Sequence, residues 1–261
     1  MEKKQKKNIG IIGYGWLGSR MGEKWRAKNE LYTTTTSAGK LSSLQEQGLN
    51  PTLVDFNVSP ADSENSLWEA VSGLDVLIVT APVSTRRDKV EQHIRNRIRH
   101  LAAFIGPFTG QMFFMDSTSV YPDAQQEFYE DDLPVEEVLS EKLLKALYPQ
   151  INILRLGGLM GDDRQLSKYN VSNLDAPVNH VHFQDVISII EKMMEKGLAG
   201  KLYNIVAPEH PSKSKVIDAQ KKSSTANVQQ TGGRIISSEK LQKELGYTFH
   251  YPDPKYFHLS P

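Results

Sequence analysis

The stretch NIGIIGYGWLGSRMGEKW, Asn8 to Trp25, sets three glycines between an apolar run and an amphipathic tail. Ile9–Ile12 has the length and apolar character of a short buried strand. Leu17, Met21 and Trp25 recur at i, i+4 and i+8, which predicts a helix over 17–28. Gly13, Gly15 and Gly18 fall in the turn between the two with the spacing GxGxxG. In that context the pattern has a mechanism. The first glycine permits the tight turn, the second lets a pyrophosphate approach the backbone, and the third lets helix pack on strand. The helix N-terminus, with unpaired N–H groups and a positive dipole end, favours phosphate. The loop Gly13–Gly18, with Tyr14, Trp16 and Leu17 inside it, therefore reads as a dinucleotide cradle. The alternative is a glycine turn that holds nothing.

Beyond this stretch, apolar runs of strand length alternate with segments of helical period. Strand-like or extended runs cover 31–36, 51–56, 74–80 (LDVLIVT), 111–115 and 151–156. Helical patterns cover 40–47, 67–71, 86–105 and 136–147, and the third carries Val90, Ile94, Ile98, Leu101 and Ile105 on one face. Alternation of this kind, with continuously apolar strands, predicts a doubly wound α/β fold with a parallel sheet covered on both faces. After Leu156 the chain turns glycine-rich and polar. There Asp185 reads as the N-cap of a helix to 196 and 201–206 as a strand, while 223–233 reads as hydrophilic and mobile. The expected organisation is a nucleotide-binding domain over 1–156 and, over 157–261, mainly a small substrate lobe. A segment at about 180–206 is expected to return to the sheet.

Length and charge set outer bounds. A chain of 261 residues can bury a sizeable core without covalent staples. Lys+Arg and Asp+Glu both number 31, so bulk charge points to neither nucleic acid nor membrane. The absence of cysteine excludes disulfides, thiolate metal sites and a cysteine nucleophile. The basic start MEKKQKK leads into too short an apolar run for a signal sequence, so Glu2–Lys7 reads as a solvated lead-in and the expected compartment is the cytoplasm.

Cofactor choice turns on the end of the second strand, where NAD binders place an acid on the ribose 2′-hydroxyl. Here the run is LYTTTTSAGK, with Thr36, Ser37 and Lys40 and no carboxylate; Glu30 stands at the strand's other end. Hydroxyls and an ammonium suit a 2′-phosphate, so NADP is expected over NAD. Lys40 as an ordinary solvated residue stays open.

The order of these features resembles the extended short-chain dehydrogenase/reductase superfamily, in its epimerase/dehydratase branch. The resemblance runs from Gly13–Gly18 through Asp55, TAPVS (80–84), DSTSVYP (116–122), ILRLGGLMG (153–161) and HVHFQDV (180–186) to LYNIVAPEHPS and ISSEKLQKELGY. It implies a Rossmann sheet with a C-terminal substrate lobe, and cofactor contacts at Asp55, Phe56, Thr80, Ala81 and Pro82. It also implies a hydroxyl of Ser117, Thr118 or Ser119 on the substrate carbonyl or hydroxyl, and Arg164 on a nucleotide-sugar diphosphate. The family's chemistry uses a Tyr and a Lys at i and i+4 on one helix face, where the ammonium lowers the tyrosine pKa. Only Tyr251 has a lysine four residues on, Lys255, and Pro252 and Pro254 break any shared helix. Aligning Glu141 with the family's glutamate puts Leu133 and Glu137 where the tyrosine and lysine belong. The pair is absent, as in the family's atypical subgroup.

Tyr121, Glu130 and Asp131 are candidates for a substitute acid or base; Tyr121 matches the strand-end tyrosine of the family, not the catalytic one. Arg155 and Arg164 are candidates for a substrate phosphate, and Arg86 and Arg87 for the pyrophosphate or a solvated helix face. His180 and His182, two apart, suit either a metal or a structural segment; the latter is preferred and no metal is expected. Two functions follow. One is an NADP(H)-dependent oxidoreductase or epimerase acting on a carbonyl or nucleotide-sugar-like small molecule. The other is a non-catalytic dinucleotide sensor that docks a protein partner. The oligomeric state is open, with a homodimer among the options.

Overall fold

A computed structural model describes residues 6–58, 67–83, 90–222 and 232–259. Seven parallel strands form the central sheet, flanked by helices: the doubly wound α/β architecture that the alternation predicts. In chain order these strands are β1 (Asn8–Ile12), β2 (Glu30–Thr35), β3 (Asn50–Leu53), β4 (Val76–Val79), β5 (Gln111–Ser117), β7 (Asn152–Leu156) and β10 (Leu202–Ile205). Their spatial order is β10-β7-β5-β4-β1-β2-β3. The central strands are apolar because both faces are covered: every residue of β4 is fully buried, as are Ile11, Ile12 and Met112–Phe114. Two short parallel pairs lie apart, β6 (Glu127–Phe128) with β11 (Ile235–Ile236), and β8 (Gly158–Met160) with β9 (His180–His182).

The chain divides into two compact units that alternate along the sequence. The first comprises 1–116, 135–153 and 197–201, and the second 117–134, 154–196 and 202–261. In the first unit, helix α1 (Trp16–Trp25) buries Leu17, Met21 and Trp25, the i, i+4, i+8 set read from the sequence. Helix α2 is Leu41–Glu46, preceded by a 3-10 turn over Ala38–Lys40. Helix α3 (Glu91–Ile105) buries Ile94, Ile98, Leu101 and Ile105 and ends at Gly106 with φ +63°. Val90 does not join that face. It is the N-cap, before the first helical turn, and stands half-exposed. Helix α4 is Leu139–Leu147.

The second unit holds α5 (Phe183–Glu195), α6 (Lys213–Lys221) and α7 (Glu239–Leu245). Asp185 is not the N-cap of α5, as the sequence suggested. His182 is, its Nδ1 accepting from the Gln184 amide at 3.3 Å. Asp185, fully buried in the first turn, instead accepts from the Tyr247 hydroxyl (2.7 Å) and the His250 and Tyr251 amides (2.8 and 3.0 Å). Its partners lie more than 60 residues on, beyond the reach of a local capping rule. Arg86, Arg87, Ser84 and most of 223–233 lie outside the described residues.

Candidate functional site

The glycine loop lies in the first unit, where β1 ends between its neighbours β2 and β4, with Ile11 opposite Thr33 and Ile12 opposite Val79. Its three glycines answer three different demands. Gly13 has φ +95°, and a methyl there would stand 2.7 Å from the Ala81 amide nitrogen and 2.9 Å from Thr80 Oγ1. At Gly18 a methyl would stand 2.8 Å from the Gly13 carbonyl oxygen. Gly15 differs. Its φ of −91° is open to any residue, and the nearest atom to a methyl there is 4.0 Å away. Among the described residues nothing requires a glycine at 15, and a methyl on its bare backbone would meet no atom of theirs closer than 4.0 Å.

The hydrogen bonds of the loop follow the same division. The Gly13 amide donates to Thr34 Oγ1, the Tyr14 amide to the Thr34 carbonyl, and the Gly15 amide to the Gly13 carbonyl. Beyond these, α1 opens with no side-chain cap and no acidic residue in its first turn. The Leu17 and Gly18 amides there have no carbonyl within the helix to bond. An uncapped helix start behind a surface with no side chain fits a dinucleotide pyrophosphate. Tyr14 turns its ring onto α1, where a methyl on Gly22 would collide with its hydroxyl, and burial raises its pKa. The Arg20 guanidinium lies 3.7 Å over the Trp16 ring, and Leu17 is buried.

At the end of β2, Thr36 and Lys40 are exposed, and Ser37 is half-buried with its amide on Thr35 Oγ1 at 3.1 Å. Glu30 stands at the opposite end of the strand, where Lys6 and Asn50 bond its carboxylate and hold its pKa down. Asp55 is exposed and accepts from the Asn57 amide at 2.9 Å. Phe56 is buried edge-on against Phe104, and His100 Nδ1 meets its carbonyl at 2.9 Å. Ala81 donates its amide to the Ile12 carbonyl, and Pro82 is exposed. Thr34 and its position under the loop were missed in the sequence reading. Period-2 alternation along TTTT was the available signal.

In the second unit, β5 runs into a 3-10 turn over Thr118–Val120. Ser117 Oγ accepts from the Ser119 amide at 3.2 Å, and Thr118 is buried with its hydroxyl toward the Leu156 carbonyl at 3.4 Å. Ser119 is exposed. Tyr121 is 2 % exposed: its hydroxyl receives Arg155 Nη1 at 2.8 Å and donates toward Asn204 Oδ1 at 2.9 Å. The Asn204 amide in turn donates to Glu130 Oε1 at 2.7 Å. Burial raises the pKa of both Tyr121 and Glu130. These groups bond one another inside the unit. Asp131 is exposed, 3.7 Å from Lys240 Nζ.

At the place the resemblance gives the catalytic pair, Leu133 (φ −143°, ψ 85°) lies between two 3-10 turns, Glu137 ends the second of them, and α4 starts at Leu139. Arg164 lies in a tight turn whose backbone bonds both ways with Gly161, at 2.9 and 3.0 Å. His182 stacks on the Tyr251 ring at 3.9 Å, and burial pulls both His180 and His182 down to about 4, keeping them neutral. Among the described residues no group of three or more His, Cys, Asp or Glu is placed to hold a metal, and no helix is long and apolar enough to cross a membrane.

The sheet order and the glycine turn after β1 are those of a Rossmann-like, doubly wound α/β fold. No protein-family model matches the chain. Protein YeeZ of Escherichia coli K12 is 26% identical over 272 residues, covering 95% of this chain and 97% of that protein. Among solved structures, Bordetella bronchiseptica WbmG in complex with NAD superposes with TM-score 0.69 at 14% identity, over 99% of this chain and 94% of that one. The human epimerase family protein SDR39U1 with NADPH gives 0.65 at 12% identity, over 96% and 97%.

Proposed function

We propose that this chain is a cytoplasmic NADP(H)-binding protein of the epimerase/reductase type, in the atypical group without the Tyr–Lys pair. Gly15 carries the reading. Among the described residues it is a glycine with no conformational or packing reason to be one, set at the start of a helix with no side-chain cap. The fold is shared with proteins solved with NAD and with NADPH, which supports a nicotinamide dinucleotide. The acid-free end of β2, with exposed Thr36 and Lys40, supports a 2′-phosphate and so NADP. As an enzyme it would act on a carbonyl or hydroxyl of a small or nucleotide-sugar-like molecule, with Arg164 toward any diphosphate. Ser119 or Ser117 would bond the substrate oxygen. A nicotinamide dinucleotide held at the glycine loop would supply hydride chemistry.

Titration with NADPH and NADH tests the reading. NADPH should bind at least about tenfold tighter, and Lys40→Ala should remove most of that preference. Gly15→Ala should weaken binding about tenfold while leaving the melting temperature unchanged. Failure of the wild type to bind either dinucleotide ends the proposal. A second reading, a dinucleotide sensor without turnover, is favoured by the broken helix at 133–139 and the buried Tyr121. Tight binding with no turnover across a carbonyl and nucleotide-sugar screen would select it.

A further inference from the structure

We infer that Thr34 and Thr80 are positioning residues that hold the glycine loop in its ligand-ready form; the inference rests on the dinucleotide reading above. Thr34, the fifth residue of β2, is buried. Its Oγ1 accepts the Gly13 amide at 2.9 Å and its carbonyl accepts the Tyr14 amide at 2.9 Å. One residue thus takes both N–H groups with which the chain enters the loop. From the other neighbouring strand, Thr80 stands just past β4 and points its hydroxyl at the carbonyls of Ile12 and Gly13. The Gly13 carbonyl also accepts from Gly15 at 2.7 Å. The residue with the loop's positive φ is therefore gripped at its N–H and at its C=O by side chains from the strands on either side of β1.

This grip has a consequence for the ligand. With the amides of 13, 14 and 15 bonded inside the protein, the loop cannot rotate without breaking one of these hydrogen bonds, so the amides that follow at the start of α1 hold their direction before a phosphate arrives. Preorganisation of this kind lowers the ordering cost of binding. Threonine suits the task because branching at Cβ stiffens χ1 and fixes the hydroxyl direction. Valine has the same shape without the acceptor or donor, which leaves the Gly13 amide without its acceptor or its carbonyl short of a donor. The neighbouring residue supplies an internal control: Thr33 is fully buried and its Oγ1 has no hydrogen-bond partner among the described residues.

The wild type and the variants Thr34→Val, Thr34→Ser, Thr80→Val, Thr80→Ser and Thr33→Val are titrated with NADPH, with melting temperatures measured in parallel. Valine at 34 or 80 should raise Kd about tenfold, serine should restore it to within about twofold, and Thr33→Val should leave it at the wild-type value. A purely structural role would lower melting temperatures without that serine rescue in Kd. Should Thr34→Val fail to fold, the Thr80 pair carries the comparison. Wild-type affinity in both valine variants, or serine variants as weak as valine ones, overturns the inference and leaves the cofactor reading standing. A wild type that binds no dinucleotide removes the cofactor reading and this inference together.

Discussion

At the glycine loop, the amides of Gly13, Tyr14 and Gly15 are bonded inside the protein, while the space before Gly15 is bare among the described residues. At the end of β5, by contrast, the buried polar groups answer one another. Arg155 holds Tyr121, Tyr121 meets Asn204, Asn204 meets Glu130, and only Ser119 of the short hydroxyl run stands exposed. Both stretches carry residue types that read as functional. The difference lies in what remains unsatisfied once the chain has folded. A polar group with a partner for every donor contributes to stability, and a backbone surface kept bare for no internal reason is where a ligand belongs.

The sharpest way to break this contrast is to ask whether Arg155 serves the fold or a substrate. As a fully buried guanidinium bonded to Tyr121, it should act as a structural charge. Arg155→Leu should cost about 1–3 kcal/mol in urea unfolding, because the Tyr121 hydroxyl stays buried without its donor. NADPH affinity of whatever fraction stays folded should be unchanged. A variant with wild-type stability but lost turnover would return Arg155 to the phosphate-binding role.

The next effect is read in pH. Burial pulls His182 from the ordinary 6.5 down to about 4. The unfolded chain therefore takes up the proton first as pH falls. Its contribution is fully present above 6.5 and is lost between there and about 4, on the order of 3 kcal/mol for a group with no exposure. His180 shifts the same way, burial again being the main cause and Lys213 the second. His182→Asn keeps an N-cap of good quality for α5 and removes the titration. Its urea midpoint should fall less between pH 7.5 and 4.5 than that of the wild type. Parallel pH profiles would mean that His182 already titrates normally in the native state.

The strand, glycine turn and helix were legible in the sequence because their signals are local. Gly13, Gly15 and Gly18 sit within six residues, and the apolar strand and the i, i+4, i+8 helix flank them directly. The sheet was legible for a related reason, since buried parallel strands such as LDVLIVT carry their environment in their composition. What escaped was non-local. Tyr121 is buried by Arg155 and Asn204, 34 and 83 residues further on, and Asp185 serves the segment at 247–251 instead of its own helix. Helix α6 was also unread: Ser212 caps it by accepting from Lys215, but Lys213, Lys215 and Lys221 hide the few apolar positions that pack, Val216 and Ile217.

The smallest expected effect on stability tests the one part of the β5 end that resembles the cradle. The Ser119 side chain is exposed, and its hydroxyl forms no hydrogen bond among the described residues, so Ser119→Ala should change stability by no more than about 0.5 kcal/mol. Ser117, whose Oγ caps the turn by accepting from the Ser119 amide, should cost about 1 kcal/mol when changed to alanine. If the chain turns over a carbonyl substrate, a loss of about tenfold in kcat/KM in Ser119→Ala, with stability untouched, would give that hydroxyl the substrate oxygen as its partner. The same loss in Ser117→Ala alone would move the role to a residue already engaged in the fold. Unchanged turnover in both would leave the β5 end without a chemical task, and the exposed hydroxyl would be an ordinary surface serine.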